Sequence, residues 1–186
     1  MKTILITGST DGIGKLTAIQ LAKDGHHIYL HGRNSDKLAN TISEVKSISN
    51  NENINGFVAD FSNLNDVRKM AHQVKTELNK LDVLINNAGI FKSPISKTTG
   101  GLEIRMTVNF LAPYLLTNEL LSLIDNSESP RIVNLSSAAQ SPVSLTALAG
   151  NEELEVNTAY AQSKLALTMW SFDLAKNHQN IAVLAV

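Results

Sequence analysis

The sequence has no cysteine, which rules out disulfides, thiolate metal sites and cysteine nucleophiles and fits a reducing compartment. Nor does it carry an excess of either charge. Sixteen lysines and arginines against 17 aspartates and glutamates leave a net charge of −1. Interspersed in this way, they build neither the basic face that nucleic acid requires nor a patch for anionic lipid. Long apolar runs are missing too. After Lys2 come only Ile4-Leu5-Ile6 before Thr7-Gly8, too short for a signal-peptide core, and no run reaches the roughly 20 residues that cross a bilayer. The five histidines, at 26, 27, 31, 72 and 178, show no metal-ligand spacing. Repeats, low-complexity segments and interdomain linkers are also absent. These absences describe a soluble, cytoplasmic, single-domain chain covering residues 1–186. Its 43% apolar content suits a core that buries roughly 70% of the unfolded surface.

Six short apolar runs alternate with helical patterns. Thr3 to Thr7, His27 to His31, Gly56 to Ala59, Leu81 to Ile85, Arg131 to Leu135 and Ile181 to Ala185 read as strands. Between them Ile13–Lys23, Asp36–Ile48, a segment from Asn63, Gly101–Asn126 and Thr158–Lys176 read as helices, with Pro113 expected to disturb the fourth. Strands alternating with helices predict an α/β protein with a doubly wound parallel sheet in three layers.

Chemistry-bearing residues cluster at the ends of these strands. The first strand runs into Gly8-Ser9-Thr10-Asp11-Gly12-Ile13-Gly14. Its glycines permit positive φ and let backbone amides approach a pyrophosphate at a helix N-terminus. The same spacing occurs in ordinary turns, but a strand before it and a helix after it favour the nucleotide. The second strand ends in Gly32-Arg33, where dinucleotide folds often carry an acid for the ribose 2′-hydroxyl. A guanidinium there is either a solvated loop arginine or a grip for a 2′-phosphate; the second reading makes NADP(H) expected over NAD(H), with Ser9 a second candidate contact. Asp60 ends the third strand and either accepts from an adenine amino group or caps the next helix. Asn86-Asn87-Ala88-Gly89 ends the fourth, offering hydrogen bonds without bulk as a cofactor wall or as a turn. Asn109 lies inside the long helix and either holds a water or is a buried amide bonded to backbone. Ser136-Ser137 ends the fifth strand, able to orient a substrate oxygen or simply to turn the chain. Tyr160 and Lys164, four residues apart, share one helix face, as such pairs often do on helix surfaces. Here they fall beside all the other features.

In this order and context the motifs resemble the short-chain dehydrogenase/reductase family, and its retinol-dehydrogenase-like branch in particular. The resemblance spans the chain. It rests on Thr7-Gly8 with Gly12-Ile13-Gly14, Asn86-Asn87-Ala88-Gly89, Asn109, Val133-Asn134-Leu135-Ser136-Ser137 and Tyr160 with Lys164. It implies a Rossmann fold with strand order 3-2-1-4-5-6 and an oxidoreductase that moves a hydride between NADP(H) and a carbonyl or alcohol. Tyr160 would be the general acid or base. Lys164 would favour its phenolate and bond the nicotinamide ribose, Ser137 would hold the substrate oxygen with Ser136 as fallback, and Asn109 would support a proton-relaying water. The cofactor would lie on Gly8, Ser9, Gly12, Ile13, Gly14, Arg33, Asp60, Asn87, Ala88 and Gly89 as well as on Tyr160 and Lys164. Family members often pair through their two long helices, implying a homodimer or homotetramer.

The interval from Ser137 to Tyr160 is longer than in many members, as in the retinol-dehydrogenase-like branch, and borders the expected substrate pocket. Members usually continue with a Pro-Gly turn, a substrate-covering segment and a seventh strand, so a C-terminally truncated domain is expected. The alternative function is an NADP(H)-binding sensor or scaffold without turnover.

Overall fold

A computed structural model describes residues 1–186. Six strands form one parallel sheet: β1 (Thr3–Ile6), β2 (His27–Gly32), β3 (Ile54–Val58), β4 (Val83–Asn86), β5 (Arg131–Asn134) and β6 (Ala182–Ala185). The order is β3-β2-β1-β4-β5-β6, as the strand and helix alternation and the resemblance anticipate. β1 is central, with Ile4 opposite both Ile28 and Val83. Its side chains are almost wholly buried, as a parallel strand covered on both faces requires. β3 begins two residues before the Gly56 start read from the sequence, because Ile54 pairs with Ile28 across the sheet.

α1 (Gly12–Lys23) and α2 (Ser35–Ser49) cover one face. Ala18, Ala22, Leu38 and Val45 pack there on Ile4, Ile6, Ile28 and Leu30. The small alanines let α1 lie close to the strands. α3 (Leu64–Glu77), α5 (Ala112–Asp125) and α7 (Val156–Asn177) cover the other face. Their larger core joins Val67, Met70, Leu116, Leu120, Leu167 and Trp170 to Leu5, Leu84 and Ile132. Side-chain caps fix the starts of α1, α2 and α3, through Asp11, Asn34 and Asn63, each satisfying an otherwise orphaned amide.

The disturbance expected at Pro113 takes a definite form. α4 (Ile104–Met106) widens into a π-helical stretch, Thr107–Leu111, before α5 begins. Proline has no N–H to offer the carbonyl of residue 109, and its ring crowds that same carbonyl. Widening relieves the clash, and Ala112 donates five residues back to Thr107. The bulge falls on Asn109. The long Ser137-to-Tyr160 connection contains one short helix, α6 (Leu145–Leu148).

Candidate active site

At the carboxyl ends of β1, β2 and β4 the chain encloses a cleft of about 660 Å³. Its floor is the glycine loop, held from two sides. From β4, the Asn87 side chain donates to the carbonyls of Thr7 and Gly8, both at 2.8 Å. The Thr7 hydroxyl accepts the amides of Asn87 and Ala88, both at 3.0 Å. Backbones meet so closely here that a Cβ on Gly8 would sit 2.7 Å from Ala88 Cα, and one on Gly14 2.6 Å from the Gly8 carbonyl oxygen. From β2, His31 Nδ1 accepts the Gly8 N–H at 3.0 Å, while Nε2 donates to the Ala59 carbonyl at 3.0 Å. The imidazole stacks on Phe61 with ring centroids 4.2 Å apart. Burial pushes its pKa down to about 4, against the Ala59 carbonyl and the Asp60 carboxylate, which favour the cation.

Gly8, Gly12, Ile13, Gly14, Arg33, Asp60, Asn87, Ala88 and Gly89 all line this cleft. Ser9 does not. Its hydroxyl is fully buried, donating to the Ile6 carbonyl at 2.8 Å and accepting from the His31 amide at 2.9 Å. The sequence-based expectation of a Ser9 phosphate contact is therefore corrected: the side chain ties the loop to the sheet. Arg33 is exposed, and none of the chain's ion pairs engages it. Asp60 accepts from the Ser62 amide at 2.9 Å and leaves the capping of α3 to Asn63. At the mouth the Lys37 ammonium reaches Asp11 at 2.7 Å. That bond, with the Gly12 amide, lowers the Asp11 pKa.

The second group of residues adjoins the cleft. Lys164 is buried, donates from Nζ to the Leu135 carbonyl at 2.6 Å and lies 5.8 Å from the Tyr160 ring centre. Burial lowers the Lys164 pKa. A Cβ on Gly89 would be 3.6 Å from Lys164 Nζ and 3.4 Å from Asn109 Oδ1, so these three residues meet. The Asn109 side chain is held at both ends: Oδ1 accepts the Ile90 amide, and Nδ2 donates to the Ile90 carbonyl and the Ser163 hydroxyl. Of the two readings of Asn109, its side chain takes the buried-amide role. Its main-chain carbonyl, whose α-helical donor is lost at Pro113, is open to a water.

The serine pair divides. Ser136 is turned onto the shaft of α7, bonding Thr168 Oγ1 and the Lys164 carbonyl. Ser137 accepts the Ala139 amide at 3.1 Å and keeps its own proton uncommitted. Phe91, Ala139, Asn157 and Tyr160 border an open hollow, with Phe91 edge-on to Tyr160 at 5.1 Å.

Three features escaped the sequence reading. His31 ends the second strand as read from the sequence, and a polar ring between Leu30 and Gly32 at that strand end is the available signal. Phe91 and a buried pair form the others. Arg105 meets Glu103 at 2.6 Å, both almost fully buried, and donates from Nε to the Phe91 carbonyl at 2.7 Å. Glu103 and Arg105 bracket Ile104 in an apolar stretch, which was the clue.

The chain is similar to known proteins in sequence and in fold. The sequence model of the family described as short chain dehydrogenase matches residues 2–186. The chain is 33% identical to retinol dehydrogenase 13 of Homo sapiens over 98% of its length, covering 56% of that protein. It is 37% identical to retinol dehydrogenase 12 of Mus musculus over 99% of its length, covering 59% of that one. The chain thus spans little more than half the length of these relatives. A short chain dehydrogenase of Shigella flexneri solved in complex with NADP superposes with a TM-score of 0.80 at 27% identity, over 99% of this chain and 75% of that one.

Proposed function

The chain belongs to the short-chain dehydrogenase family, on its retinol-dehydrogenase-like side, and from that premise we propose that it transfers a hydride between NADP(H) and a carbonyl or alcohol substrate. The observation that carries this reading is the meeting of Gly89, Asn109 and Lys164 beside a glycine-loop cleft. A dinucleotide suits the cleft, because a Cβ at Gly12 would meet no atom of the chain within 4 Å, so a phosphate can approach the loop backbone there. Gly12, Ile13 and Gly14 open α1 and offer its positive end to a pyrophosphate. Arg33 takes the 2′-phosphate, Asp60 the adenine amino group, and Asn87, Ala88 and Gly89 form the wall. The relative solved with NADP supports this choice of cofactor.

The cofactor, when bound, supplies the hydride; the chain supplies proton and orientation. Tyr160 gives its phenolic proton to a carbonyl oxygen, or takes a hydroxyl proton in reverse. Ser137, with its proton free, donates to the same substrate oxygen. Lys164 has one of its three N–H bonds on Leu135, which leaves two for the nicotinamide ribose and for a water on the Asn109 carbonyl. Exposed Tyr114, Met169 and Phe172 on the two long helices support a homodimer or homotetramer. The lack of cysteine fits a cytoplasmic enzyme.

The test is NADPH oxidation with a panel of aldehydes, ketones and retinoids. Tyr160→Phe should lower turnover about 10²- to 10⁴-fold. Equal turnover in wild type and variant would remove Tyr160 from the acid role. Tight NADP(H) binding with no carbonyl reduced would instead favour the sensor or scaffold.

A further inference from the structure

We propose that His31 is a positioning residue for the cofactor: its neutral ring, protonated on Nε2, holds the Gly8 amide and so fixes the glycine loop in the shape that admits a pyrophosphate. The role rests on reading the cleft as an NADP(H) site.

Four contacts tie His31 to its surroundings. Nδ1 accepts the Gly8 amide at 3.0 Å and Nε2 donates to the Ala59 carbonyl at 3.0 Å. The main chain of His31 donates to the Ser9 hydroxyl and accepts the Ser9 amide, both at 2.9 Å. One residue thus joins the loop, the end of β2 and the end of β3. It is 4% exposed, yet its ring forms part of the cleft wall.

The chemistry of the two partners dictates the ring's state. A carbonyl can only accept, so Nε2 must carry a proton; an N–H can only donate, so Nδ1 must be bare. The other tautomer, or the imidazolium, would set two hydrogens face to face at Gly8 and push the loop away. Gly8 is at φ 62° and packed on Ala88 Cα, so it cannot yield without moving the wall. Burial keeps the ring neutral, with its pKa at about 4. Asp60 is the charged group acting on the ring, and Arg33 and Asp11 stand on the same cleft wall.

Two variants separate this role from packing. His31→Asn keeps an acceptor oxygen near the place of Nδ1; His31→Phe keeps the stack on Phe61 and loses both nitrogens. Nitrogen NMR of the ligand-free protein at pH 7 should show the Nε2-protonated tautomer, with a Gly8 amide slow to exchange. His31→Phe should weaken NADP⁺ binding about tenfold or more, and His31→Asn less than about threefold. Cofactor KM should follow these changes with kcat nearly constant. Down to about pH 5 the two affinities should run in parallel, and as pH falls further, through about 4, wild type should lose affinity relative to His31→Asn. An Nδ1-protonated ring, or a folded His31→Phe that binds as tightly as wild type, overturns the proposal. Should His31→Phe not fold, the tautomer and the wild-type against His31→Asn pH profiles decide. Wild type that binds no NADP⁺ while the Gly8–His31 bond is intact overturns the cofactor reading, and this role with it.

Discussion

At the amino edge of the sheet, Asp82 collects the Thr3 amide at 2.8 Å, the Ser127 hydroxyl at 2.6 Å and the Lys80 ammonium at 3.4 Å. Burial works to raise its pKa, but those three partners outweigh burial and lower it. At the carboxyl edge, by contrast, Arg33 is unpaired, Ser137 keeps a free proton, and no hydrogen bond within the chain engages the Tyr160 hydroxyl. The same strands therefore end in polar groups that are satisfied on one side and held ready on the other. A satisfied group contributes stability, whereas one held in place without a partner can only be supported by its neighbours. Those supports are visible: Asn87 and His31 on the two sides of the loop, Leu135 under Lys164, and Arg105 behind Phe91.

The contrast can be tested, beginning with its largest expected effect. Tyr160→Phe, for all its cost in turnover, should leave the urea midpoint unchanged, because its hydroxyl has no partner to lose. Arg105→Ala breaks the pattern, since it removes a closed knot from the open edge. Stranding Glu103 in the interior should cost about 3–5 kcal/mol in chemical denaturation and loosen Phe91 beside Tyr160. Acid should then separate the edges in time. The free imidazole value is 6.5 and the folded one about 4, so the unfolded chain binds the extra proton between them. His31 thus contributes fully above pH 6.5, and its share, of order 3 kcal/mol, is lost as pH falls to about 4. Asp82, lowered from 3.8, contributes above that value and gives way only below it. Melting curves from pH 7 to pH 3 should show the carboxyl-edge loss first, absent in His31→Asn. Arg33→Ala has the smallest reach: NADP(H) affinity should drop about ten- to a hundredfold with NAD(H) affinity unchanged, by calorimetry, and stability should not move.

Much of this could be read from the chain. Hydrophobic periodicity located all six strands, and the i,i+4 rule put Tyr160 and Lys164 on one face of α7. Pro113 announced the disturbed helix. Local pattern could not say which side chains would turn inward. Ser9 and Ser137 are both strand-end hydroxyls; Ser9 is consumed by Ile6 and His31, while Ser137 is not. Asn87 finds Thr7 across 80 residues, and Asn109 finds Ser163 across 54. Such partners arise from strand order and helix packing, which no window of neighbouring residues contains. The Glu103–Arg105 pair escaped for a different reason. Two charges in an apolar stretch look like surface until a buried carbonyl, that of Phe91, is known to need a donor.

The central position of β1 has a consequence for how the protein is made. The glycine loop is translated before His31, and β1, β2 and β3 before β4. The residues that press on the loop from the other side, Asn87 and Ala88, are 80 and 81 residues behind Thr7. At about 5–20 residues per second, synthesis delays them by something on the order of 10 s. For that interval neither Asn87 nor Ala88 is available to hold Thr7 and Gly8 from the β4 side. The part of the cleft that is translated first is among the last to set.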